Sequence, residues 1–316
     1  MHKKIINTGL LFSFGALTFL LLYKNQLALS LSLEALNLWF QKMIPALLPF
    51  MILSGLLINM ELSDRFASFF SPVLRPLYRL SDSCLYCIII GFLCGFPMGA
   101  RVCAQSYEKG KISKREATLL LCFVNNIGPV YFTGYVLRLF PAQPLGQALF
   151  GMYGLPLLYG AFLRRTFFSD IRCGQRLRHT PNLTKPDALQ SSPAKGPFFW
   201  TELNRSIVSS LDSITVLGGY MIFCNLLNII PLTLLGGHRN LLRILGALLE
   251  ITGGLSRLPA DWGKAALILL PFGGLSCIAQ TASCIRDTDL SLKNYVFHKV
   301  ILTVLTAAYY NLIGGI

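Results

Sequence analysis

The sequence predicts an all-α polytopic membrane protein built as an inverted-topology repeat, with two re-entrant helical hairpins and two broken transmembrane helices. Three observations predict it: few charges among many apolar residues, apolar runs of spanning length along the chain, and glycine and proline interruptions at matching places in two halves. Hydrophobic residues make up 53% of the 316 and charged residues 13%, a balance that leaves too little polar surface for a chain dissolved in water.

A span needs about 20 mostly apolar residues. Runs at 5–23, 43–60, 118–139, 145–163, 206–230, 265–285 and 296–313 are of that order, whereas 84–100 and 241–255 are shorter and interrupted by glycine. The first run follows His2, Lys3 and Lys4 and is nearly 20 residues long with further spans behind it, which favours a retained helix over a cleaved signal peptide. Residues 1–40 are therefore expected to be an N-terminal transmembrane helix and an external loop.

Lysine and arginine mark cytoplasmic loops. They concentrate at Arg164, Arg165, Arg172, Arg176, Arg178, Lys185, Lys195 and Arg205, in a stretch also rich in proline and serine. Residues 164–205 thus read as a basic cytoplasmic linker between a first repeat, 41–163, and a second, 206–316. Arg65, Arg75 and Arg79 precede the 84–100 stretch, and Arg101, Lys109, Lys111, Lys114 and Arg115 follow it. With both flanks inside, the segment of about 84–108 enters and returns on one side, turning at Gly95-Phe96-Pro97-Met98-Gly99. The count of crossings puts the second hairpin, about 240–261, on the opposite face; it carries Arg243 and Glu250 and breaks at Gly253-Gly254. Each hairpin is followed by a span with a central interruption, Asn125-Asn126-Ile127-Gly128-Pro129 in one half and Pro271-Phe272-Gly273-Gly274-Leu275-Ser276 in the other.

Irregular backbone at membrane depth survives only where protein buries it or water lines it. Two turns and two breaks therefore imply a shared internal cavity, and a secondary transporter of a small solute is the expected function. Gly95, Pro97 and Gly99 shape the first turn, and Arg101 just beyond it adds positive charge to a helix N-terminus; Thr252, Gly253 and Arg257 stand in the same relation to the second. That pattern favours an anionic solute, against the plainer reading that both arginines snorkel to an interface. Asn125, Asn126 and Gly128 are expected to meet the solute at the first break, and Gly274, Ser276 and Gln280 at the second. Glu250 is an ionisable group in an apolar stretch, suited to a coupling proton or to hydrogen bonds with the solute, unless Arg243 or Arg257 pairs with it. His298 and Lys299 are expected at the membrane interface.

Other classes fit less well. The net charge of +14 reads as topology signal rather than a nucleic-acid surface. Four histidines are dispersed at 2, 179, 238 and 298 without a paired acidic motif, so no catalytic residues are assigned and no enzyme is expected. Of nine cysteines, Cys84 and Cys87 have metal-ligand spacing but no second pair, so neither a metal site nor any cofactor is expected.

Five ordered motifs carry a family resemblance: Gly95-Phe96-Pro97-Met98-Gly99-Ala100-Arg101, Tyr107-Glu108-Lys109-Gly110-Lys111-Ile112-Ser113, Asn125-Asn126-Ile127-Gly128-Pro129, Glu250-Ile251-Thr252-Gly253-Gly254 and Phe272-Gly273-Gly274-Leu275-Ser276. Over roughly 40–315 the chain resembles the YlbJ family of sporulation integral membrane proteins, within the nucleoside-recognition or Gate group related to concentrative nucleoside transporters. The resemblance implies hairpins and broken helices meeting at a central substrate site, a forespore membrane, and dipicolinate, a small aromatic dianion, as cargo. A nucleoside cargo and a non-transporting role in sporulation are the alternatives. The coupling ion, proton or sodium, and homo-oligomerisation stay open.

Overall fold

The structure is a computed structural model and describes residues 2–171 and 198–313; residues 172–197, most of the expected linker, lie outside the described residues. Every regular element among the described residues is helical. Four helical stretches are long and apolar enough to cross a membrane: Asn25–Asn59, Phe198–Leu234, Ala260–Cys284 and Leu292–Ile313. Ser71–Tyr78 and Asp82–Cys94, bent by 105° at their junction, add a fifth if they form one span.

Residues 24–40 are not an external loop: Asn25–Leu38 is helical and runs through a π-helical turn at Trp39–Met43 into Ile44–Asn59. The stretch is rich in leucine and alanine with neither glycine nor proline, so nothing in it breaks a helix.

This long helix packs antiparallel on Phe198–Leu226. Asn225 Nδ2 donates to the Leu31 carbonyl at 2.7 Å, Trp39 Nε1 to the Ile214 carbonyl at 2.8 Å, and Ser206 Oγ to the Ile52 carbonyl at 2.6 Å. Gly55 faces Ser206 and Gly218 faces Trp39, small residues that let helices approach where lipid supplies no hydrophobic drive. A second antiparallel pair forms between the helical run 145–165 and Leu292–Ile313, where Tyr159 Oη meets His298 Nδ1 at 2.6 Å and Tyr310 packs on Gly151.

Between these pairs lie two helical hairpins. In the first, Asp82–Cys94 and Met98–Glu108 fold back on each other, with Cys87 Sγ 3.5 Å from Ser106 Oγ. The reversal needs Gly95, whose φ of +85° side chains disfavour, and Pro97, which has no N–H to continue a helix. In the second, Arg239–Leu249 and Ile251–Ser256 meet at Glu250, which is extended at φ −140° and ψ 110°, and Gly254 backs directly onto Ala247.

Each hairpin is followed by an interrupted helix. Ser113 and Glu116 form a capping box that starts Lys114–Leu121. The chain then leaves helical geometry by residue 124 and resumes at Pro129, the position where a missing N–H costs nothing. In the second half, Gly263–Leu269 stops before Gly273 and Gly274, at φ +77° and +76°, and Gly274–Cys284 continues.

Candidate solute site

The two hairpin turns are each seated on the break that follows them. In the first half the contact is backbone on backbone: a side chain at Gly95 would run into Gly128, and a Cβ at Gly99 would sit 2.6 Å from the Val124 carbonyl oxygen. In the second half a Cβ at Gly274 would sit 3.0 Å from the Ala247 carbonyl oxygen and 3.2 Å from the Ile251 nitrogen. Three of the glycines predicted as solute contacts thus have a packing task that only a missing side chain can perform.

The two assemblies meet at a small buried cavity of ≈ 40 Å³, room for a water or two. Phe96, Gly128 and Tyr131 wall it from the first half, and Glu250, Thr252 and Gln280 from the second. Four of the predicted residues, Gly128, Glu250, Thr252 and Gln280, therefore line one space. Glu250 is 1% exposed and caps the short second arm, accepting from Thr252 N at 3.1 Å and Gly253 N at 2.6 Å, while Ser276 Oγ lies 3.5 Å from it. Neither Arg243 nor Arg257 pairs with it. Arg243 bonds Asn240, and Arg257 donates to Glu34 at 2.5 Å and to Asn225 Oδ1 at 2.7 Å.

The two predicted asparagines are fully committed. Asn125 Oδ1 accepts from Ala100 N at 3.3 Å, and its amide donates to Thr281 Oγ1 at 2.9 Å and to Tyr295 Oη at 3.2 Å. Asn125 thereby ties the first hairpin, the first break and both last helices together. Asn126 donates to the Phe123 carbonyl at 2.5 Å and turns its oxygen to Lys299.

Arg101 stands apart from the central cavity. Its guanidinium bonds Ser209 and Ser213 of the long Phe198–Leu226 helix. It lines two cavities of mixed polarity, ≈ 270 and ≈ 300 Å³; Pro97 and Gln280 border the second of them, and Gln280 also borders the central cavity. Gln280 thus lies between the cavity that Arg101 lines and the one that Glu250 lines.

His298 and Lys299, expected at the membrane interface, are buried inside the protein, at 8% and 1% exposure. Both point from Leu292–Ile313 into the protein because the facing elements offer polar partners, Tyr159 to His298 and the first break to Lys299. Lys299 is an ionisable group inside an apolar run, the one signal in the sequence that marks it as more than an interface residue. Phe96, Tyr131 and Tyr295 carried no such signal, being ordinary members of apolar runs.

Fold and centre together define a multi-pass membrane protein with a buried polar core. Residues 40–139 match the family model described as Gate, nucleoside recognition. Over 342 aligned positions the chain is 27% identical to the sporulation integral membrane protein YlbJ of Bacillus subtilis (strain 168), covering 98% of this chain and 83% of that protein. The chain is thus similar to both, in keeping with the family resemblance in its sequence. No solved structure matches significantly.

Proposed function

We propose that the protein is a secondary transporter of a small anionic solute, working as two inverted halves whose hairpins are re-entrant and alternately open the central cavity. The observation that carries this reading is the duplicated seating of a hairpin turn on the break that follows it, around one cavity to which both halves contribute. The inverted relation is supported by the antiparallel packing of corresponding helices, 44–59 on 206–226 and 145–163 on 292–313. A cavity of ≈ 40 Å³ holds no solute of metabolite size, so this is a closed state and a hairpin moves to admit cargo. Arg101 receives the anion in the outer cavities and Gln280 passes it inward; Glu250 and Thr252 contribute to the inner surface, with a proton or sodium gradient as driving force.

Dipicolinate, implied by the family resemblance, is the first cargo to test, and a forespore membrane, implied in the same way, is the first location to test. The family description favours one second reading, a nucleoside cargo. Purified protein in proteoliposomes, loaded with a proton or sodium gradient, separates them. Dipicolinate uptake lost in Arg101→Ala supports the anion reading, and nucleoside uptake alone moves the cargo. Absence of both favours a non-transporting role in which the hairpins bind a partner.

A further inference from the structure

Lys299 is buried at 1% exposure in a candidate span, and among the described residues no carboxylate lies within salt-bridge distance of it. A charge in that position is costly unless its surroundings are built for it. The surroundings of Lys299 meet that need. The ammonium donates to the main-chain carbonyl of Asn125 at 2.6 Å, lies 3.3 Å from Asn126 Oδ1, and sits 4.7 Å above the centre of the Phe96 ring. The Asn126 amide is held with its nitrogen on the Phe123 carbonyl, which leaves the oxygen for Lys299.

All three partners are neutral and electron-rich, and two come from unwound backbone just past the end of the half-helix Lys114–Leu121, where the helix dipole is negative. Free carbonyls at such a half-helix end, an amide oxygen and an aromatic face are the ligands a monovalent metal cation takes. We propose that Lys299 is a tethered cation: its ammonium fills, at the first break, the place that Na⁺ would otherwise occupy. The lysine comes from the last helix of one half and its ligands from the other, so the tether also locks the first break to the second half. This inference rests on the transporter reading only for its consequence, that solute movement needs no sodium at this site.

The test is thermal unfolding of the purified full-length protein in detergent, in NaCl and in choline chloride at equal ionic strength. Wild type is expected to unfold at the same temperature in both salts. Lys299→Ala is expected to unfold lower in choline and to gain a saturable rise of a few degrees with Na⁺. Adding Asn126→Ala removes one ligand and should abolish that rise. Sodium-specific stabilisation of wild type overturns the proposal, as does a Lys299→Ala protein indifferent to sodium. Should the variant accumulate only when expressed and purified in NaCl, the proposal stands; failure in both salts overturns it. The readout is stability, so absence of solute flux would undo the transport reading and leave this result intact.

Discussion

Replacing Asn125 by alanine removes three hydrogen bonds from a residue that is 1% exposed. Their loss is unequal. Ala100 N lies in the first turn of Met98–Glu108, where no intrahelical acceptor exists, so its N–H is orphaned. Tyr295 Oη, also buried, loses its bond to the Asn125 amide. Thr281 still donates to the Cys277 carbonyl at 2.8 Å and suffers least. An orphaned buried polar group costs about 1–3 kcal/mol, and with Ala100 N the one group orphaned, Asn125→Ala should cost about 1–3 kcal/mol. Tyr295→Phe alone should cost little, because the Asn125 amide keeps Thr281. The Tyr295 hydroxyl also reaches the Thr281 side chain, so in the alanine background the same change has less left to lose, a coupling that a double-mutant cycle reports directly. Unfolding in detergent can be followed by maleimide labelling, since Cys84, Cys87, Cys94, Cys103 and Cys122 are buried free thiols that react only when the protein opens. An Asn125→Ala protein unfolding within a degree of wild type, or additive effects in the double mutant, would refute the assignment of Asn125 as the tie between the halves.

Glu250→Ala strips the acceptor from two buried N–H groups and should destabilise by about 2–5 kcal/mol, whereas Glu250→Gln keeps one acceptor and should lose visibly less in the same thermal assay. Gly99→Ala places a methyl 2.6 Å from the Val124 oxygen and 2.9 Å from Asn125 Cα, both backbone, and should lower the yield of folded protein by forcing about 1–3 kcal/mol of overpacking. Arg257→Ala, if the arginine serves Glu34 rather than the solute, should leave flux within about two-fold and cost about 1 kcal/mol, because that ion pair is nearly a third exposed. Arg101→Ala should abolish anion uptake while membrane abundance, measured by immunoblot, stays unchanged; parallel loss of both would make Arg101 a packing residue on the Phe198–Leu226 helix.

The helical membrane fold was legible because apolar run length is a strong constraint on what can cross a bilayer. The breaks at 125–129 and 271–276 were legible for the same reason, as glycine and proline stand out in an apolar helix. The continuation of the first long helix through 24–43 was not, since Gln26, Ser30, Ser32 and Glu34 lower the hydropathy of a segment whose helicity rests on leucine and alanine. The roles within the site divided along similar lines. Glu250, Thr252, Gly128 and Gln280 stood out because polar or glycine residues in apolar runs attract attention, and the four line one cavity. The partner of Arg257, Glu34, lies over two hundred positions away, and sequence spacing carries no trace of that pairing. Lys299 was set aside because it stands close to the start of its run, yet the packing of Tyr295 and His298 on the same face buries that end of the helix.

The central claim is that this small polar centre moves a solute across the membrane. Uptake of radiolabelled dipicolinate into proteoliposomes, measured with and without a proton gradient in sodium-free buffer, addresses it directly. The account predicts saturable, gradient-stimulated uptake that Arg101→Ala removes and that choline-for-sodium exchange leaves untouched; folded protein that moves neither dipicolinate nor nucleosides under any gradient would contradict it.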